Sequence, residues 1–365
     1  MTLYLVLGLG PAGLFVSRQL AKREKCVVIG IGKRDDIGIY SNKLNHYYIS
    51  EDIVSFKNIL EDITSKYTDI VPILCSDQYL SLLVQCDTAI LSRMHFSSPS
   101  LDTLWLFADK VRLQEFCQRI NLKMPYSTTL SNVCVMDNPL VIKPAVKAGI
   151  SKVGKINVIN TQDDLVKLKN KILDLGEDPN DYIVQPFIQG NNGYEYGYGG
   201  YFCEGKPTID IYFYQLRQYP QGVCCHTLEI LDENLKKNIR ETVTPFLVST
   251  KYSGFIQFDI KQDAENLQLY VLDINPRPWG SISMLSLKLS DGTSLWADNG
   301  TNNKVAWRFP IKEFLSLKNR NNVSYKEIWR IRRKTRYSMV VDLFDKNDIL
   351  PFLIQPVVIL HKLFK

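Results

Sequence analysis

The feature that most constrains the fold is a pair of short apolar stretches within residues 255–275, separated by a polar segment that favours a turn. Both stretches carry β-branched or aromatic residues with polar residues at alternate positions, which predicts the two strands of a hairpin. Residues two apart in a strand point to the same face, so Gln257 lies beside Asp259, and Asp273 lies beside Asn275. Two carboxylates and two amide oxygens are donors that suit Mg²⁺. The same residues could instead be ordinary polar side chains on a solvated sheet face.

Composition and charge restrict the class of protein. The chain of 365 residues is long enough for two or three domains, and its 45% hydrophobic and 22% charged content is ordinary for a globular protein. The net charge of +6 fits an anionic ligand without requiring nucleic acid. Eight scattered cysteines include no CxxC pair, and no apolar run approaches the roughly 18 residues of a membrane span. The first residues lack a basic segment ahead of their apolar run, so we expect a cytoplasmic protein.

The N-terminal part alternates between apolar strands and helices, which is typical of a parallel α/β sheet. The first strand, 2–7, leads into the glycine turn Gly8–Gly13 and a helix, a pattern that also occurs in dinucleotide-binding proteins. Such proteins have an acidic residue at the end of the second strand, whereas here Asp35 and Asp36 come only after that strand. A tight turn that needs small residues for close packing is the better interpretation. We expect this domain to end in the loop 97–100.

Two features of the middle of the chain favour phosphate binding. Lys143 ends a short apolar strand, where its ammonium group could reach an anion, although a solvated lysine is the commoner case at a strand end. The following loop fits GxxxxGK through Gly149, Gly154 and Lys155, but it has Ile156 where a Walker loop needs Ser or Thr. The pattern therefore favours a glycine-rich lid whose backbone N–H groups and lysines close over phosphates.

Segments rich in tyrosine and phenylalanine within residues 194–230 predict a meander of antiparallel strands. Arg217 ends the second of these strands, beside Tyr219 and Pro220. Because it lies at a strand end next to a turn, we predict that Arg217 holds a substrate carboxylate.

The order of these parts resembles the ATP-grasp superfamily over roughly residues 1–290. The resemblance rests on the glycine turn, the strand-end lysine, the glycine lid, the segment Val184–Gly190 and the ending Asn275-Pro276-Arg277. The last of these, with Arg217-Gln218-Tyr219-Pro220, is similar to predicted ATP-grasp carboxylate–amine ligases. The resemblance implies an α/β (α+β) chain with the ATP-grasp fold. The expected domains are a Rossmann-like pre-ATP-grasp domain (1–100), a lid sub-domain (101–188), a C-terminal sub-domain with the metal site (189–310) and a basic and apolar extension (311–365).

The resemblance also implies ATP and Mg²⁺ as cofactors, with Mn²⁺ as a substitute for Mg²⁺. The expected ATP contacts are Lys110 and Lys143 on the phosphates, Gly149, Gly154 and Lys155 in the lid, and Gln185, Pro186, Phe187 and Ile188 in a hinge that grips the adenine. The expected metal ligands are Gln257, Asp273 and Asn275, with Asp259 as a substitute. The family usually has an acidic residue at the position of Gln257, so one metal-site charge is lost.

The activity that the resemblance implies is ATP-dependent ligation of a carboxylic acid to an amine. The γ-phosphoryl group would convert the acid into an acyl phosphate, and the amine would displace phosphate to give an amide. Arg277, Lys155 and Arg217 are the expected catalytic residues. The expected substrates are a small carboxylic acid and an amine, such as an amino acid or an amino or acidic sugar derivative. Two alternatives remain open: carboxylation through carboxyphosphate, and a module that binds ATP without turnover.

The C-terminal part combines a basic segment, 311–336, with an apolar tail, 349–360. A solvated helix face accounts for the basic segment most simply. The alternative is peripheral attachment to anionic lipid at the inner face of the membrane, with the tail at the interface. No nucleic-acid module accompanies the charge, so we expect no nucleic-acid partner. A homodimer is compatible with the sequence.

Overall fold

The computed structural model describes residues 1–96, 101–135, 138–145, 152–154, 156–190, 192–220, 222–289, 296–319 and 321–363. Three predictions lie outside these residues: the domain boundary in the loop 97–100 and the lid roles of Gly149 and Lys155. Gly154 is described, and its φ of +98° is a left-handed backbone conformation that favours glycine.

The N-terminal part is a parallel sheet of four strands covered by helices. The strands are β1 (Thr2–Leu7), β2 (Cys26–Gly32), β3 (His46–Ile49) and β4 (Ile70–Leu74), in the spatial order β3-β2-β1-β4. The helices are α1 (Pro11–Leu20), α2 (Ile53–Lys66), α3 (Asp77–Leu83) and α4 (Thr88–Leu91). Because a parallel sheet is covered on both faces, its strands are apolar throughout, and residues 3–7 of β1 are all buried. The alternation predicted from the sequence is confirmed.

The glycine turn after β1 is required by close packing. A Cβ atom on Gly13 would lie 1.9 Å from the carbonyl oxygen of Gly8, and a Cβ atom on Gly8 would lie 2.5 Å from the Cβ atom of Ser76. Asp36 closes the turn from the side, because its Oδ2 accepts a hydrogen bond from Leu9 N at 3.1 Å. The Leu9 N–H of the turn is thus bonded to a carboxylate of the chain itself instead of being available to a ligand phosphate. This favours the interpretation that the turn serves close packing and does not bind a dinucleotide.

Two helices, α5 (Leu101–Ala108) and α6 (Lys110–Arg119), connect the first sheet to the rest of the molecule. The sequence pattern predicts one helix over 101–120, but the backbone breaks at Asp109. Its carboxylate caps α6 by accepting a hydrogen bond from Val111 N at 2.8 Å. In α5 the ring of Phe107 lies 5.7 Å from the ring of Phe246, which belongs to the largest sheet's helical cover. The apolar core of the N-terminal part is therefore continuous with that of the largest sheet.

A second, smaller sheet lies where the lid sub-domain is expected. Its strands are β5 (Thr128–Thr129), β6 (Leu140–Pro144), β7 (Asn157–Ile159) and β8 (Tyr182–Pro186), in the antiparallel order β5-β8-β6-β7. Helix α7 (Gln162–Asp174) packs on it. Leu165, Leu168 and Ile172 recur at helical spacing on α7 and are buried with Ile142 and Tyr182 of the sheet.

The largest sheet has seven strands. They are β9 (Glu195–Cys203), β10 (Lys206–Gln218), β11 (Cys224–Glu229), β12 (Gly254–Gln262), β13 (Leu269–Asn275), β14 (Val305–Arg308) and β15 (Ser338–Val341), in the order β13-β12-β9-β10-β11-β14-β15. Neighbours are antiparallel except β14 and β15, which run parallel. Helix α8 (Glu233–Thr250) covers the sheet, and the ring of its Phe246 lies 5.8 Å from that of Phe258. Short 3-10 turns lie at Ile37–Tyr40, Leu130–Asn132, Pro179–Asp181, Asn192–Tyr194, Ile282–Leu287 and Ser316–Lys318.

The C-terminal part, where the basic and apolar extension 311–365 is expected, packs against the rest of the fold. Its helices are α9 (Pro310–Leu315), α10 (Tyr325–Lys334) and α11 (Leu350–Leu363), and its strand β15 completes the largest sheet. Phe352 of α11 packs in one apolar cluster with Leu14 and Ile37 of the N-terminal part. Among the described residues, no helix is both long enough and apolar enough to cross a membrane.

Candidate active site

The centre of the site is the hairpin of β12 and β13. Its register pairs Gln257 with Asn275 and Asp259 with Asp273 as direct cross-strand neighbours. The turn is set by Asp263, whose Oδ1 accepts a hydrogen bond from the backbone N–H two residues on, at 2.8 Å. The four polar side chains singled out from the sequence therefore lie together. Their role as metal ligands stays a prediction.

A hydrogen-bond network holds these side chains in place. Gln257 Nε2 donates to Asp259 Oδ1 at 2.6 Å, and Asn275 Nδ2 donates to Gln257 Oε1 at 3.0 Å and to Asp259 Oδ2 at 3.3 Å. Gln215 on β10 donates a further bond to Asp259 Oδ1 at 2.6 Å. Sequence reasoning missed Gln215, whose only signal is a polar residue inside an apolar strand.

The charges of the cluster are compatible with a bound cation. Burial raises the pKa of the Asp259 carboxyl group, and the nearby Asp273 carboxylate raises it further, whereas the hydrogen bonds from Gln257 and Gln215 lower it. A cation between the two carboxylates would relieve this repulsion. The described residues contain no metal-holding group of three His, Cys, Asp or Glu side chains, so amide, phosphate or water oxygens would have to complete the coordination. Mg²⁺ in proteins is commonly bound in that way.

Arg277 links the hairpin to the N-terminal part. Its Nε and Nη2 donate to the two carboxylate oxygens of Asp77, each at 2.7 Å, in a bidentate ion pair. Nη2 also lies 3.5 Å from Asn275 Oδ1. Burial lowers the pKa of Arg277, but the Asp77 carboxylate outweighs burial and the pKa lies above its ordinary value. The guanidinium is thus held charged beside the oxygen cluster. Asp77 is the first residue of α3, directly after β4.

A cavity of about 640 Å³ lies over the hairpin. Its lining includes Asp77, Lys110, Lys143, the hinge Gln185–Ile188, Glu195, Gln215, Gln218, Asp259, Lys261, Asp273, Asn275, Arg277 and Asn321. Lys143 Nζ reaches the carbonyl oxygen of Leu272 on β13 at 3.4 Å, and Lys110 Nζ reaches that of Pro144 at 3.0 Å. The two lysines expected at the phosphates therefore lie on the same cavity as the hairpin. Gln257 is not among the lining residues, which favours Asp259 over Gln257 as the ligand on β12.

The hinge Gln185–Ile188 lies on the cavity, as expected, but some of its polar groups are already bonded. Gln185 Nε2 donates to Ser127 Oγ at 2.8 Å. The backbone N–H of Phe187 donates to the carbonyl oxygen of Pro139 at 2.9 Å. Recognition of adenine by this hinge would therefore use other backbone groups than the Phe187 N–H.

A charged network lies beside the hinge and was missed from the sequence. Lys261 Nζ is 4.8 Å from the centre of the Phe187 ring and 3.2 Å from Glu195 Oε1. The side-chain amide of Gln218 also donates to Glu195. These residues sit at the end of the sheet that faces the lid, and nothing in their local sequence distinguishes them from solvated strand ends.

Arg217 is not among the residues that line the cavity, so the expected contact with a substrate carboxylate is not supported by its position. The side chain is buried, and its Nη1 donates to the Val323 carbonyl oxygen at 2.8 Å. Nε and Nη2 both donate to Ser316 Oγ, at 3.1 and 2.9 Å. The guanidinium also stacks 4.2 Å from the Tyr325 ring. Arg217 instead anchors the C-terminal part to β10.

Comparison with known proteins supports the fold. No family model matches the chain. It is 22% identical over 267 residues to a D-aspartate ligase of Enterococcus faecium (strain Aus0004), and the match spans 65% of this chain and 61% of that protein. A Staphylococcus aureus N5-carboxyaminoimidazole synthetase complexed with ADP shares 15% identity and a TM-score of 0.56, over 79% of this chain and 73% of that one. An L-amino acid ligase from Bacillus licheniformis shares 15% identity and a TM-score of 0.58, over 76% and 67%. The chain therefore has the ATP-grasp fold of these solved structures, and the fold expected from the sequence is confirmed.

Proposed function

We propose that the protein is an ATP-dependent carboxylate–amine ligase that forms an amide through an acyl phosphate and releases ADP and phosphate. The observation that carries the proposal is the paired oxygen cluster of β12 and β13, with Arg277 beside it and Lys143 across the same cavity. The similarity to a D-aspartate ligase and the fold shared with an L-amino acid ligase support this reaction class.

The reaction requires the protein to position the reactants and to neutralise the negative charge of the phosphoryl oxygens. A carboxylate is a poor electrophile until phosphorylation gives it phosphate as a leaving group. Lys110, Lys143 and Arg277 line the cavity. The two lysines would hold ATP phosphates, and the Arg277 guanidinium would neutralise oxygens of the transferred phosphoryl group. No covalent nucleophile is needed. Closure of the lid sheet would keep water from the acyl phosphate.

The metal proposal assigns Asp273, Asn275 and Asp259 as ligands of Mg²⁺, with Mn²⁺ able to use the same oxygen donors. When bound, the ion would supply positive charge to the phosphate oxygens. In this assignment Gln257 is a hydrogen-bond partner of Asp259, and Asp259 supplies the negative charge that Gln257 lacks.

The substrate proposal is an amino acid on at least one side of the new amide, on the strength of the similarity to a D-aspartate ligase. Sugar acids and amino sugars remain the other class. We further propose that the enzyme works in the cytoplasm, where ATP is available, and its eight cysteines are all free thiols, as a reducing compartment requires.

The proposal is tested by measuring ADP and phosphate release from MgATP with pairs of D- or L-amino acids, amines and sugar acids. We expect release to require one acid and one amine, and hydroxylamine to trap the acyl phosphate as a hydroxamate. Asp273→Asn should reduce the rate of ADP and phosphate release by about a hundredfold or more. The control is Asp87→Asn, which makes the same change at an exposed carboxylate outside the cluster. Bicarbonate-dependent release without an amine would instead identify carboxylation, and ATP binding without release for any pair would identify a non-catalytic module.

A further inference from the structure

Helix α10 presents a basic face that also carries an exposed tryptophan. Lys326, Trp329, Arg330 and Arg333 follow the spacing i, i+3, i+4 and i+7, so they share one stripe. All four are exposed, and Trp329 keeps 60% of its surface accessible. The Arg333 guanidinium lies 5.0 Å from the centre of the Trp329 ring. The opposite face of the helix is fixed, because Ile328 is buried in an apolar cluster of β10, β11 and β14.

Two further apolar side chains are exposed on the segment that precedes α10 in the chain. Phe314 is 71% exposed and Leu317 is 54% exposed. The backbone of this segment contacts the first turn of α10, because the Tyr325 hydroxyl donates to the backbone oxygen of the residue before Phe314 at 3.4 Å. The segment that carries Phe314 therefore packs against the helix that carries the basic stripe.

The charge of this surface is strongly one-sided. Between residues 325 and 336 the exposed basic side chains are Lys326, Arg330, Arg333, Lys334 and Arg336, whereas Glu327 is the exposed acidic side chain. Glu313 is buried and hydrogen-bonded to His226, so it adds no exposed negative charge to this surface. A face that only needed solvation would not require Trp329, Phe314 and Leu317 at its surface.

We propose that α10, together with Phe314 and Leu317, docks on an anionic lipid surface. The combination of a basic helix face with Trp, Phe and Leu is typical of helices that lie in the membrane interface. The basic side chains bind headgroup phosphates, and the aromatic and aliphatic side chains enter the boundary of the acyl chains. This goes beyond the ligase reaction and is independent of it.

The expected membrane contact combines the basic segment 311–336 with the tail 349–360, whereas the proposed surface uses α10, which lies within the basic segment, without the tail. The inner face of α11 is committed to the N-terminal part through Phe352, Ile354 and Val358. Its outer residues Leu350 and Leu353 are exposed, but no comparable basic stripe accompanies them among the described side chains. Of these two helices, α10 therefore carries, among the described side chains, the positive charge that would attract anionic lipid.

The test is sedimentation of the full chain with vesicles of phosphatidylcholine alone or with about 30% phosphatidylglycerol, in about 0.1 M salt. We expect at least about tenfold tighter binding to the anionic vesicles. Arg330→Gln with Arg333→Gln should weaken that binding by about 25-fold, since each basic residue contributes about fivefold. Trp329→Ala should weaken it by about three- to tenfold. The matched control is Lys167→Gln with Lys171→Gln on the exposed face of α7, which makes the same charge change and should alter binding by less than about twofold.

Three outcomes would overturn the proposal. Equal losses of vesicle binding in the α10 and α7 double variants would show that binding depends on net charge alone and not on the α10 surface. Equal binding to neutral vesicles would remove the role of anionic lipid. Tight binding of a nucleic-acid oligomer that the α10 variants abolish, without vesicle binding, would identify nucleic acid as the partner. The α10 residues do not line the cavity, so unchanged melting temperature and unchanged ATP binding confirm that the variants are folded.

Discussion

At the scale of single residues, the ion pair between Asp77 and Arg277 is the most informative contact. The two residues are 200 positions apart, yet Arg277 Nε donates to Asp77 Oδ1 and Arg277 Nη2 donates to Asp77 Oδ2, each at 2.7 Å. A bidentate pair fixes the plane of the guanidinium as well as its position. Asp77 is therefore a positioning residue for Arg277, and the N-terminal part contributes to the site through it.

We predict that Asp77→Asn lowers kcat by about tenfold while the KM for ATP changes by less than about twofold. Asparagine offers one acceptor oxygen in place of two and carries no charge, so Arg277 loses its fixed orientation beside the oxygen cluster. Steady-state ADP release with the best substrate pair gives both constants.

The control for this variant is Asp87→Asn, which removes a surface ion pair with Lys57 in the same domain. We expect it to leave kcat unchanged, because exposed ion pairs contribute little. If Asp77→Asn changes only the melting temperature and leaves kcat intact, Asp77 does not position Arg277.

The sequence predicted the hairpin residues because their signal is local. Strand alternation and a polar turn are enough to put Asp259 and Asp273 side by side. The Asp77 contact and the true setting of Arg217 could not be predicted in this way. Arg217 looked like a strand-end residue open to a ligand, but a segment about 100 residues later in the chain covers it.

At the scale of elements, strand β15 carries a buried carboxyl group at its end. Asp342 is 2% exposed, and Trp307 Nε1 donates to its Oδ1 at 3.4 Å, whereas Oδ2 has no hydrogen-bond partner among the described residues. Burial raises the pKa of this carboxyl group to about 7. The folded protein thus holds the proton more tightly than the unfolded chain. The free energy of unfolding therefore falls as pH rises from about 4 to about 7.

We predict that Asp342→Asn removes this part of the pH dependence. Between about pH 5 and about pH 8, the free energy of unfolding of the natural chain should fall by about 2–3 kcal/mol relative to the variant. Urea unfolding at both pH values measures the difference. The comparison between pH values is the readout, because asparagine also buries a polar atom and changes the stability at any one pH.

The exposed Asp163 on α7 provides the control. Asp163→Asn should leave the change in unfolding free energy between the two pH values within about 0.5 kcal/mol of the natural chain. Parallel pH profiles for Asp342→Asn and the natural chain would show that Asp342 does not titrate in this range.

Most elements follow the local pattern, and the differences have tertiary or capping causes. The apolar segments predicted the first strand, 2–7, and the two strands of the hairpin within 255–275, and the structure has strands at these places. The expected helix over 101–120 is divided because the Asp109 carboxylate caps a second helix, a local signal that the apolar pattern concealed. The pairing of β15 with β14 has no local signal, since a parallel partner can lie anywhere in the chain.

At the scale of the whole molecule, the C-terminal part joins the first and largest sheets. After β15 the chain reaches Asp348, whose carboxylate is almost fully buried against the N-terminal part. It accepts hydrogen bonds from Arg18 Nε at 2.8 Å, Ser41 Oγ at 2.7 Å and Asn42 N at 3.0 Å. Arg18 Nη1 also donates to the Leu343 carbonyl oxygen at 3.1 Å. The first and last parts of the chain are thus held in one unit.

We predict that Asp348→Ala lowers the free energy of unfolding by about 3–5 kcal/mol, because it leaves the largely buried charge of Arg18 and two further donors without their carboxylate acceptor. The matched control is Asp345→Ala, since Asp345 lies 3.9 Å from the same Arg18 Nε but is one-third exposed. That change should lower the free energy of unfolding by less than about 1 kcal/mol. Urea unfolding followed by both near- and far-ultraviolet circular dichroism measures the two variants.

A single transition in the natural chain that separates into two in Asp348→Ala would show that this contact couples the N-terminal sheet to the rest of the molecule. Equal small losses for both variants would mean that the coupling lies elsewhere, in the apolar contacts of α11.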